Sequence, residues 1–129
     1  MPMSIAWKQN IISFIVACSD EESDLETGTA VTTWRMPFKF HIKEVRASLT
    51  TAGTGGTLVT VDINESGSTI LSTKITIDAS ETTSTTSATP AVISDNTLAD
   101  DAQMTVDIDA VGSTNTGKGL KISIIGWKI

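Results

Sequence analysis

Apolar and polar residues alternate with a period of two along most of this chain, and no segment of about ten residues carries a helical period. Within Gln103 to Val111, Met104, Val106, Ile108 and Ala110 share one face, with Thr105, Asp107 and Asp109 on the other. In the run that starts at Leu58, Val59, Val61 and Ile63 oppose Thr60, Asp62 and Asn64 in the same way. From Phe38 to Leu49 the period slips between Ile42 and Val45, which predicts a bulge or bend near Lys43. Ile11 to Cys18 is apolar almost throughout and reads as a buried strand. Gly28 to Trp34 reads as a strand stopped near Pro37, which cannot donate to a ladder. Leu58 to Ile63 and Thr69 to Ile77 flank Asn64-Glu65-Ser66-Gly67-Ser68, a hairpin signal. Pro90 to Ile93 makes a short strand, and Leu120 to Ile129 a closing one with Ile122, Ile124 and Gly126 on one face.

Ser19 to Glu26, Thr50 to Gly56, Ser94 to Asp101 and Gly112 to Gly119 read as connections, and Ala79 to Thr89 as a loop or an edge strand. Residues 1–10 show no clear period and form an arm or a first short strand. Residues 11–129 then make a single domain. About eight strands at this spacing predict an all-β, antiparallel sandwich of the jelly-roll kind.

Composition supports strands. Thr, Ser, Ile and Val are abundant, and β-branched side chains fit a pleated surface. The net charge of -6 argues against nucleic-acid binding and against docking on anionic membranes, since an acidic surface repels both. A single cysteine, Cys18, forbids an internal disulfide and a cysteine-based metal site, and its apolar run implies a buried, inert thiol. That run is too short to span a bilayer and is followed directly by Asp20, Glu21 and Glu22, which is not a signal-peptide layout. A soluble product of a reducing cytoplasm is expected.

Catalytic chemistry finds little support. His41 is the one histidine, and no nucleophile elbow or oxyanion loop accompanies it or Cys18. The Thr54-Gly55-Gly56 loop lacks the Lys-Ser or Lys-Thr of a phosphate cradle. Asp62, Asn64, Asp107 and Asp109 carry the oxygen ligands calcium needs if their strands are neighbours, although solvated carboxylates on a sheet face are commoner. The acidic run Asp20 to Glu26 matches no calcium-loop spacing. No cofactor is expected. Trp7, Trp34 and Trp127 are candidates for an assembly interface or for stacking on a sugar, because tryptophan buries a large area.

Several strings carry a resemblance: Trp34-Arg35-Met36-Pro37-Phe38, Glu44-Val45-Arg46-Ala47-Ser48-Leu49, Val61-Asp62-Ile63-Asn64-Glu65-Ser66-Gly67 and Ile70-Leu71-Ser72-Thr73-Lys74. Thr89-Pro90-Ala91-Val92-Ile93-Ser94-Asp95 and Leu98-Ala99-Asp100-Asp101-Ala102 continue it into Val106-Asp107-Ile108-Asp109. Together, over Val16 to Ile125, they resemble a β-sandwich domain recurrent in virion structural proteins of tailed bacteriophages. The resemblance implies a capsid decoration (cement) protein or head-fibre subunit. Such a protein is made in the host cytoplasm, binds the outer surface of the major capsid protein shell, and is usually a homotrimer. The alternative it leaves is a tail or fibre module that binds a host-surface glycan. The surfaces expected to assemble are the arm around Trp7 and the loops Ser19 to Glu26 and Thr82 to Ala88.

Overall fold

The computed structural model describes residues 10–129, so the expected arm and Trp7 lie outside the described residues. Two antiparallel sheets face each other. The first has the order β1 (Ile12–Ala17), β11 (Lys121–Lys128), β3 (Phe40–Ser48), β9 (Thr97–Leu98). The second runs β2 (Gly28–Arg35), β10 (Gln103–Ala110), β4 (Val59–Glu65), β5 (Ser68–Thr69), with β7 (Ile75–Ile77) also pairing β4. A small ribbon joins β6 (Leu71–Thr73) to β8 (Val92–Ile93), and Ser84–Thr86 form a single 3-10 turn.

The pairing is nested. First strand meets last in β1 with β11, β2 meets β10, β3 meets β9, and β4 meets β5 and β7. A long hairpin folded across two sheets in this way is the jelly roll that the alternation predicted.

The inward faces form one core. Phe40, Ile42, Val45, Ala47, Ile122 and Ile124 from the first sheet meet Val59, Val61, Ile63, Met104, Val106 and Ile108 from the second, all buried. Phe14 adds an edge-on ring contact with Phe40 at 5.2 Å between centroids, the geometry aromatic quadrupoles favour.

Lys43 sits in the bulge the broken period predicted. Glu44 pairs Ile125 and Ile42 pairs Gly126, so Lys43 has no partner on β11. Gly126 is required there, because a side chain on it would collide with the His41 carbonyl.

Three expectations change. Among the described residues β1 is an edge strand with one buried face, since Ile12, Phe14 and Val16 pack on the core while Ile15 is 71% exposed. The second hairpin arm is broken into β5, β6 and β7, because Ile70 turns inward and β6 leaves the ladder to pair β8. The connection Ser94 to Asp101 contains β9, which brings the count to eleven strands among the described residues.

Candidate functional site

The calcium candidates lie on adjacent strands. In the β4–β10 ladder Asp62 is directly opposite Asp107, on the face turned away from the core. Two carboxylates in that position repel, so each needs donors. Asp107 Oδ1 accepts from the Ala30 N–H at 2.8 Å, and its Oδ2 accepts from Asn64 Nδ2 at 3.0 Å. Asp62 Oδ1 accepts from the Thr69 hydroxyl at 2.5 Å, and Asp109 Oδ2 forms an ion pair with Lys74 Nζ. The Asp109 hydrogen bond, joined by the charges of Asp62 and Asp107, holds the Lys74 ammonium above its ordinary pKa.

Asp62 and Asn64 are 6% and 8% exposed, too buried to remain without partners. Among the described residues no group of three or more His, Cys, Asp or Glu side chains is placed to hold a metal ion. The cluster is a hydrogen-bonded polar rib. Opposite Asp107, β2 bulges between Gly28 and Thr32, and Ala30 takes a positive φ of 51°. The Asp107 carboxylate therefore anchors a strained turn of backbone.

His41 and Cys18 are not brought together. Cys18 donates its N–H to the Leu120 carbonyl, whereas His41 pairs Trp127 at the other end of β11. Six strand residues lie between those positions, which are roughly 20 Å apart. Burial pushes the Cys18 thiol up to about 11, against a smaller lowering by the Thr32 hydroxyl. His41 instead stacks on the Trp127 ring at 4.4 Å between centroids.

The two described tryptophans, Trp34 and Trp127, differ in their surroundings. Trp34 pairs Met104 and is partly buried, with part of its surface packed against the core. Trp127 lies on the outward face of the first sheet with Ile15 and Ile125, whose neighbours Ile124 and Val16 point inward. Ile11 is 55% exposed just before β1. From Ile12 to Ala17 this edge strand has no charge, no proline and no bulge, the devices that ordinarily blunt an edge.

The two loops expected to assemble are tied down at the opposite end of that sheet. Asp20 accepts from the backbone N–H groups of Glu22 and Ser23, and the Ser23 bonds foremost hold its carboxyl below the usual range. Glu21 reaches Lys121 and Thr50, and both lower its pKa. Thr82 accepts from the Leu49 N–H at 2.9 Å. The exposed apolar stripe on β1 was hidden to sequence reasoning, because a uniformly apolar run does not say which strand will be an edge.

A comparison with known proteins finds no family model that matches the chain, no matching curated protein and no matching solved structure.

Proposed function

We propose that the chain is a virion structural protein of a tailed bacteriophage, a capsid decoration protein that binds the outer surface of the major capsid protein shell and stabilises it. The observation that carries the reading is the outward face of the first sheet. Ile11 and Ile15 are 55% and 71% exposed there, beside Ile125 and Trp127, on an uncharged edge strand. Exposed apolar groups gathered on one sheet edge favour association, because burying them removes apolar area from water. The jelly roll supports the same reading as a rigid clamp, since its two sheets share one close-packed core. A homotrimer would suit three-fold positions on a shell, and closed cyclic symmetry limits assembly to a defined copy number.

The test is reconstitution. Capsids assembled without this protein should bind it when it is added back and then survive higher temperature and dilution. Ile15→Asp should weaken that binding at least tenfold with the isolated protein still folded. Capsids that never bind the protein, or that gain no resistance from it, would defeat the reading. For the glycan-binding alternative, Trp127 is the described tryptophan on the outward face of the first sheet. Binding on a glycan array that disappears in Trp127→Ala would favour it.

A further inference from the structure

The fourth strand of the first sheet is cut short. β9 pairs only Phe40 and His41 of β3, and the Ile42 N–H is still met by the Asn96 carbonyl at 2.7 Å. Further along the same edge, the Ala47 N–H donates to Ser84 Oγ at 2.9 Å and the Leu49 N–H to the Thr82 carbonyl at 2.9 Å. Between these points no strand among the described residues is paired with the edge of β3. Backbone direction repeats every two residues in a strand, so the N–H and carbonyl of Val45 point to the same side as those of Ala47. That side opens into a cleft of about 470 Å³, and all four of Lys43, Glu44, Val45 and Arg46 line it.

The rest of the lining has an apolar part beside the hydroxyls of Thr76, Ser84 and Thr85. Ala91, Val92 and Ile93 face the cleft with Ile75, and Val92 is 50% exposed. The rim is cationic. Lys43 stands out of the bulge, exposed and without an ion-pair partner among the described residues, while Arg46 is held by Glu44. A free strand edge opposed by a partly apolar wall fits one kind of occupant well. Main-chain groups on the edge recognise an extended backbone, and the wall takes alternate side chains.

We propose that this cleft docks an extended segment of a partner protein as an added strand beside Val45, with a carboxylate of that segment on Lys43. The gap of four β3 residues is about 13 Å long, room for a short strand lying between β9 and the Ser84–Thr86 turn. The cleft volume also lies within the range of ligand sites. This inference does not rest on the virion reading, because it concerns a different edge of the sheet from β1.

The experiment is a selection of random seven-residue peptides on the whole protein, with counter-selection on Ala91→Trp, which fills the cleft. Enriched peptides should alternate apolar residues and carry an Asp or Glu. Lys43→Glu, an exposed change that keeps the fold, should weaken the best peptide about tenfold. Amide exchange at Val45 should be fast in the free protein and slow at least tenfold on binding. No enrichment, or equal binding to both variants, overturns the proposal. So does a Val45 amide already protected in the free protein. If sedimentation shows a dimer whose cleft the peptide cannot enter, a second copy is the occupant and the proposal also fails.

Discussion

Replacing Asp107 by alanine should cost about 2 kcal/mol of folding stability. Its carboxylate accepts the Ala30 N–H at 2.8 Å and the Asn64 amide at 3.0 Å. Each bond to a charged acceptor is worth about 1.5 kcal/mol at the low end of the range, suited to a half-exposed site, so the loss is about 3 kcal/mol. Asp62 lies directly across the ladder, and relief of that like-charge pair returns up to about 1 kcal/mol. The assay is urea unfolding followed by tryptophan fluorescence, with an unchanged slope as the check that only stability moved. For a chain of this length the thermal midpoint should fall by about 6–8 °C. Asp107→Asn keeps an acceptor for Ala30 and removes the repulsion, so it should cost less than half as much. A double-mutant cycle with Asn64→Ala should give a coupling of about 1 kcal/mol. A loss under about 0.5 kcal/mol for Asp107→Ala, or a coupling of zero, would show that water replaces these bonds and that the polar rib does not hold the sheet.

Ala30→Gly should raise stability by about 0.5–1 kcal/mol, because the positive φ of 51° strains alanine and suits glycine; unchanged or lower stability on the same urea assay would count against that strain. Calcium at millimolar concentration should leave the thermal midpoint within about 1 °C, since the Asp62, Asp107 and Asp109 carboxylates already bind protein donors, whereas a clear rise would reveal a site. Cys18, with its thiol pushed from 9.0 to about 11, should react with a thiol reagent at pH 8 about a hundredfold more slowly in the native protein than in urea. The same shift predicts stability that is lost as pH rises from about 9 towards 11, because only the unfolded chain ionises there. Glu65 is raised, first by desolvation and then by Asp95 nearby, while the Ala99 N–H partly opposes. A raised acid destabilises the fold once pH passes its unfolded value, so Glu65→Gln should add a few tenths of a kcal/mol at pH 7 and nothing at pH 3.

Much of this molecule was legible in its linear pattern. The alternation in Phe40–Ser48, Val59–Glu65, Gln103–Ala110 and Lys121–Lys128 is local, and burial of one face forces period two on each strand. The bulge at Lys43 was legible for the same reason, since one extra residue must shift every later side chain to the other face. What lay beyond the sequence is non-local. β9 is a strand only because Phe40 and His41 present an edge to Thr97 and Leu98, two residues with no period of their own. Thr69 to Ile77 reads as one strand in sequence, yet β6 is drawn away to β8 before β7 returns to β4. The apolar run of β1 reads the same whether one face or two are covered, and only its place at the end of the first sheet leaves Ile15 in water. Asp62 and Asp107 are far apart in the chain, and the β4–β10 register alone set them opposite each other and turned carboxylates that could bind an ion towards Thr69, Asn64 and Ala30. Which faces are apolar can be read along the chain, because that follows from neighbours two residues away. Tertiary structure decided which edges stay open and which polar groups meet, because those depend on strands brought together from distant parts of the chain.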